Sequence, residues 1–160
     1  MRVHWKSLSF FVLLCQAAGS VGAIVTRPAL APWYQNLNKP FFTPPSWVFA
    51  PAWITLYFLM AVAAYLVWVT GPTSKAVRFA IGVFIVQLIL NSAWSFLFFG
   101  LKSPWYGLID ILLLWSAIVF CIVLFWRISV TASLLLAPYL LWVTFATALN
   151  FAIWKLNPAL

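Results

Sequence analysis

FAIGVFIVQLILNSAWSFLFFGL, residues 79–101, runs for 23 residues without a charged side chain. A helix needs about 20 apolar residues to cross the hydrocarbon core of a bilayer. Only helices and closed barrels satisfy every backbone polar group in that medium. The stretch also carries a marker of which way it faces. Gln87, Asn91 and Ser95 recur at i, i+4 and i+8, which is one face of a helix. Polar side chains inside a membrane are costly unless they face the bundle interior, so the element predicted here is a transmembrane helix with its polar stripe turned inward.

Outward from this stretch, three more runs meet the same length: residues 47–69, 104–126 and 128–154. Gly71-Pro72 stops the first, Ser103 and Pro104 read as N-cap and first helical residue of the second, and Asn157-Pro158 follows the last. Residues 8–25, preceded by Arg2 and Lys6, could be read as a signal peptide ending near Val21-Gly22-Ala23. The run is long for a signal core and long enough to span, so a first transmembrane helix is the expectation. The fold class expected is all-α, a single five-helix transmembrane domain over residues 1–160 with a long ordered loop between helices 1 and 2.

Composition agrees, since the chain is 66% hydrophobic and 6% charged where soluble domains are about 25% charged. Its net charge of +8, from nine Lys and Arg against one acid, raises the question of nucleic acid, but position argues otherwise. Arg2, Lys6, Arg27, Lys39, Lys75, Arg78, Lys102, Arg127 and Lys155 are scattered near the ends of apolar runs, where snorkelling and anionic headgroups account for them. Five of these fall on one face of the membrane and four on the other, which leaves orientation open. Cys15 and Cys121 show no CxxC spacing and His4 is the single histidine. No metal site, disulfide framework, histidine-based triad or cofactor is expected.

The longest connection, residues 26–46, holds Pro28, Pro32, Pro40, Pro44 and Pro45 among Trp33, Tyr34, Phe41 and Phe42. Proline stiffens the loop, and its aromatic surface needs burial. Two readings stand open: a lid folded over the mouth of the bundle, carrying Trp33, Lys39, Phe41 and Phe42, or a loop anchored among headgroups.

Most of the eleven tryptophans lie at span ends, the usual place for interfacial indoles. Trp53, Trp94, Trp115 and Trp142 lie deeper, where an indole N–H needs a partner. In the last span Trp142, Ala146 and Asn150 repeat the i, i+4, i+8 spacing. Asp110, the only acid, sits about two turns into its span, and an intramembrane carboxylate is a candidate functional group. Pro51 and Pro138 fall inside spans and are expected to bend them. Tracing the spans puts Trp53, Asn91, Ser95, Asp110 and Asn150 in the half of the membrane nearer the long loop, which reads as a polar-pointed cavity opening toward it. A lone carboxylate without histidine or a second acid argues against hydrolytic acid/base catalysis.

Several ordered motifs carry a family resemblance: Trp33-Tyr34, Asn38-Lys39-Pro40, Thr43-Pro44-Pro45, Trp47, Pro51-Ala52-Trp53, Leu56-Tyr57, then Gln87-Leu88, Asn91, Trp94-Ser95, Phe98-Phe99, and Pro138-Tyr139, Trp142, Ala146, Leu149, Asn150. The chain resembles the tryptophan-rich sensory protein / translocator protein family, also called peripheral-type benzodiazepine receptors, over nearly its whole length. The resemblance implies an integral multi-pass protein of a bacterial envelope or mitochondrial outer membrane, homodimeric as a rule. It implies binding of porphyrins such as protoporphyrin IX, and of sterols and benzodiazepine-type ligands in some members. Trp53 and Trp142 match the pocket tryptophans linked to porphyrin breakdown in bacterial members, and Tyr34, Asn91, Ala146 and Leu149 match other pocket positions. The sterol motif of animal members lacks its tyrosine here, where Leu149, Phe151 and Lys155 occupy the stretch.

The function expected is a membrane receptor, sensor or transporter that binds a porphyrin in a Trp-lined cavity, with Tyr34, Trp53, Asn91, Trp94, Ser95, Asp110, Trp142, Ala146 and Leu149 as ligand-binding residues. Lys39 or Arg27 would meet the propionates. The expected partners are this hydrophobic small molecule, the lipid bilayer and a second copy of the chain, without nucleic acid. A light- and oxygen-dependent porphyrin-degrading enzyme acting through Trp53 and Trp142 is the first alternative, and a sterol or lipid translocator the second.

Overall fold

The computed structural model describes residues 4–158; Arg2, counted above among the loop charges, lies outside them. Helix α1 is Trp5–Leu30, α2 is Phe49–Trp68, and α3 is Lys75–Ser95, continued by a π-helical turn, Phe96–Gly100. Helix α4 is Pro104–Trp126, α5 is Val130–Leu135 and α6 is Ala137–Leu156. Together they make five spans long and apolar enough to cross a membrane, α5 and α6 sharing the fifth. Every described residue is in helix, turn or loop, and the protein is an integral multi-pass membrane protein.

Helix boundaries follow local chemistry. Ser103 accepts the Tyr106 N–H at the start of α4, and Ser129 accepts the Ala132 N–H at the start of α5, each satisfying a donor that the helix leaves unpaired. Pro138 stands in the first turn of α6, and the fifth span is broken at Leu136. Pro51 behaves differently from the expectation that it bends its span. It stands in the first turn of α2, where its missing N–H has no intrahelical acceptor to disappoint. The proline inside a helix is instead Pro28 of α1, because α1 continues into what the sequence suggested was loop. Lys102, with φ of 52°, turns the chain between α3 and α4 through the left-handed region.

Small residues set the closest helix contacts. Ala61, Ala63 and Ala64 of α2 are wholly buried, and α1 lies along α2 and α3. A Cβ on Gly19 would collide with the Tyr57 ring, and one on Gly22 would stand 2.9 Å from the Ser95 hydroxyl. Such close approach is how helices associate in lipid, where no hydrophobic force drives them together. By contrast, α2 and α6 touch along only a short length. The seam between them is spanned by aromatic side chains.

Candidate functional site

That seam is built from two helical stripes. Phe49, Trp53 and Tyr57 fall at i, i+4 and i+8 on α2, while Tyr139, Trp142 and Phe145 recur every third residue on α6, so each set shares one face of its helix. Trp53 stacks on Tyr57 with ring centroids 5.5 Å apart and lies edge-to-face with Trp142 at 6.4 Å and 85°. Trp53 also meets Tyr139 edge-on at 6.4 Å. Trp142 in turn contacts Phe49 and Phe145, each at 5.9 Å, and Phe145 meets Phe42 of the long loop at 6.3 Å. Rings in contact therefore run along this seam from the loop into the bundle.

The inner end of this aromatic row is polar. The Tyr57 hydroxyl donates to Asn91 Oδ1, Asn91 Nδ2 donates to the Tyr139 hydroxyl at 2.9 Å, and that hydroxyl donates to Gln87 Oε1 at 3.0 Å. These four side chains are buried and tie α2, α3 and α6 together. Gln87 Nε2 is buried without a partner.

A second cluster lies under the first half of the loop. Trp33 and Tyr34 pack on Phe98 and Phe99, Tyr34 at 6.3 and 5.6 Å. Leu37, Leu149 and Ile153 complete it. The π-helical turn allows this, since a wider turn brings both Phe98 and Phe99 into the interior. Burial pushes the Tyr34 phenol above its usual range. Trp94 stacks on Phe98 at 5.0 Å and donates to Asn150 Oδ1 at 3.0 Å, while Asn150 Nδ2 reaches the Pro104 carbonyl at 2.8 Å.

The predicted site residues thus divide. Trp53 and Trp142 share the α2–α6 seam with Asn91 at its inner end, and half-buried Ala146 is on the same helix. Tyr34, Trp33, Trp94 and Leu149 belong to the cluster beneath the loop. Ser95 faces Gly22 of α1. Asp110 is buried on α4 with Oδ2 lacking a partner. Lys39, expected to meet a ligand carboxylate, turns its ammonium to the carbonyls of Tyr34, Gln35 and Leu37 at 2.8, 3.0 and 3.3 Å and lies 4.9 Å from the Tyr34 ring. It staples the loop, whereas Arg27 is exposed in the last turn of α1. Phe42 is on Phe145, and Phe41 touches Phe42 alone among the aromatic rings.

Of the deep tryptophans, Trp94 and Trp115 commit their N–H groups, the latter to Thr144 Oγ1 at 2.9 Å. The hydrogen bonds among the described residues include none from the indoles of Trp53 and Trp142, which are half-buried. Phe49, Tyr57, Tyr139 and Phe145 were missed as site residues. The shared spacing with Trp53 and Trp142 was the signal that could have found them.

Residues 11–155 match the sequence profile of the TspO/MBR family. The chain is 44% identical to the tryptophan-rich protein TspO of Chlorobaculum tepidum over 158 residues, covering 99% of this chain and all of that one. It is 47% identical to the protein of the same name from Archaeoglobus fulgidus, over 91% of this chain and 94% of the relative. The human translocator protein is 42% identical over 98% of this chain and 94% of its own length.

Proposed function

The chain belongs to the TspO/MBR family, and on that premise we propose that it is a membrane receptor or transporter that binds a porphyrin of the protoporphyrin IX type between Trp53 and Trp142. The observation that carries this reading is the edge-to-face pair at 6.4 Å, whose two half-buried indoles stand between α2 and α6, helices that touch along only a short length. A flat macrocycle enters by separating the edge-to-face pair of Trp53 and Trp142, exchanging one aromatic contact for two. Such contacts contribute about 0.5–1.5 kcal/mol each beyond the area they bury. Micromolar affinity, about 8 kcal/mol, also requires burial of apolar macrocycle area on the order of several hundred Å² once the costs of association are met.

Polar specificity would come from the Asn91, Tyr139 and Gln87 network at the inner end of the seam, and the free indole N–H groups add two donors. No histidine accompanies the seam among the described residues, and the free thiols of Cys15 and Cys121 are buried in the bundle, which favours a metal-free porphyrin over haem. Because Lys39 is held by three loop carbonyls, Arg27 is the better counter-charge for a propionate near the mouth. Titration of the purified protein with protoporphyrin IX, followed by tryptophan fluorescence, tests the reading. Saturable micromolar quenching is expected, and linear, unsaturable quenching would overturn it.

A further inference from the structure

The end of the bundle that faces away from the long loop is basic. There α1 begins beside the last turns of α2, with the His4 N–H on the Tyr65 hydroxyl at 3.1 Å, and the first half of α3 lies along the end of α4, with Phe84 stacked on Phe125 at 6.1 Å. Lys6, Lys75, Arg78 and Arg127 all stand at this end, exposed. Asp110, the one acid, is on the same helix that Arg127 terminates but lies nearer its other end, roughly 25 Å away along the axis. It neutralises none of the four.

A groove of about 220 Å³ opens on α4 at this end, lined by Ile122, Val123, Trp126 and Arg127. These residues share one stripe of the helix, three apolar side chains leading to a cation where α4 stops. Ser133 of α5, itself buried, donates to the Ile122 carbonyl at 3.0 Å and fixes this stretch to the next helix. The hydrogen bonds among the described residues include none from the Arg127 guanidinium or the Trp126 indole, and both residues are exposed. The groove therefore offers, in order toward the interface, an apolar wall, an indole N–H and a charge without a partner.

An amphiphile with its negative charge at the headgroup matches that order. A guanidinium takes phosphate oxygens in pairs, an indole at the interface gives its N–H to a polar neighbour, and acyl methylenes pack against apolar side chains by dispersion. A zwitterionic headgroup brings a cation of its own to a face that already holds four, whereas an acidic headgroup brings none.

We propose that this groove is a binding site for one acidic phospholipid, with its phosphate on Arg127 and an acyl chain along Trp126, Val123 and Ile122. The site is separate from the α2–α6 seam and does not depend on what the seam binds.

The test titrates the full chain, in a non-ionic detergent, with phosphatidylglycerol and with phosphatidylcholine of identical acyl chains, and counts retained lipid by native mass spectrometry. Phosphatidylglycerol should be held at least about fivefold more tightly, and equal retention of the two lipids overturns the proposal. Arg127→Gln should cancel the preference, while Lys102→Gln, at an exposed cation just before the other end of α4, should keep it. A preference that survives Arg127→Gln, or that Lys102→Gln abolishes equally, means that overall charge selects the lipid and overturns the site. Val123→Trp fills the groove without touching the charge and should lower phosphatidylglycerol retention severalfold; unchanged retention overturns the acyl-chain seat. A parent chain that holds no lipid and forms a dimer that Val123→Trp splits has its groove covered by a second copy, which overturns the proposal as well. Arg127 and Val123 are both exposed, so their replacement leaves the packing of the bundle intact.

Discussion

Asn157 grips the backbone of Asn38 from both sides, its Oδ1 accepting the Asn38 N–H at 3.0 Å and its Nδ2 donating to the Asn38 carbonyl at 2.9 Å. Residues 119 apart in the sequence are joined by this clasp, which closes the first half of the loop over Phe98, Phe99 and Leu149. It lies at the rim of the bundle, so the loop can open only by releasing it.

Asn157→Ala removes both bonds, together with the Asn157 Nδ2 bond to the Ile153 carbonyl in α6, and leaves the Asn38 Nδ2 bond to the Leu156 carbonyl. The loss is worth about 1–3 kcal/mol together, a rise in the open loop population of about 5- to 150-fold. Hydrogen exchange at residues 33–38 should quicken by that factor, with the exchange of α4 unchanged. Equal exchange in parent and variant would show that the clasp holds nothing.

Trp53→Phe and Trp142→Phe retain a ring but remove the larger face and the indole N–H. Each is expected to weaken protoporphyrin IX binding about tenfold, or about 1.4 kcal/mol, when titrated by ligand absorbance rather than tryptophan emission. The two also separate binding from breakdown: retained binding with a lost light-dependent product would favour the enzymatic alternative.

Asn91→Leu leaves the hydroxyls of Tyr57 and Tyr139 buried with fewer partners. Hydrogen bonds between membrane helices average less than those in water-soluble cores, and stranded donors cost about 1–3 kcal/mol. The thermal midpoint in detergent should fall by several degrees. Tyr139→Phe, which cuts the chain at its fully buried centre, should lower it by a similar amount, and the double variant should lose less than the sum because the two share one bond.

Gly107→Ala tests the contact of α4 with the loop-side cluster. Its Cβ would stand 2.9 Å from the Phe98 ring and 3.0 Å from Asn150 Oδ1, the atom that accepts the Trp94 N–H. Overpacking of this kind costs about 1–3 kcal/mol. Gly82→Ala is the control, since nothing lies within 4 Å of a Cβ there; it should leave the thermal midpoint unchanged or raise it, worth up to about 1 kcal/mol.

Legibility of the fold and of the site differed for a physical reason. Residues 79–101 and the three similar runs announce membrane helices because lipid imposes a length and a composition that soluble structure does not. The stripe of Gln87, Asn91 and Ser95 was equally visible, yet a helical face is wide enough to touch two neighbours. Gln87 and Asn91 enter the tyrosine network, and Ser95 meets α1 at Gly22. Lys39 could be placed near the mouth from its position in the loop, but the turn that folds its ammonium onto three carbonyls involves backbone geometry that no residue pattern encodes.

From the amino-acid order alone came the solvent of this protein, its five spans and its family likeness, which in turn implied the pair Trp53 and Trp142, because spans follow from the period and length of a helix and likeness from motif spacing along one chain. Which ring fills which space was settled in three dimensions. The edge-to-face meeting of Trp53 and Trp142, the closure of the loop through Asn38 and Asn157, and the contact of Phe42 with Phe145 all join residues distant in sequence. Their positions depend on how closely small residues let α1, α2 and α3 approach and on how far α2 stands from α6, distances that only packing of the whole bundle fixes.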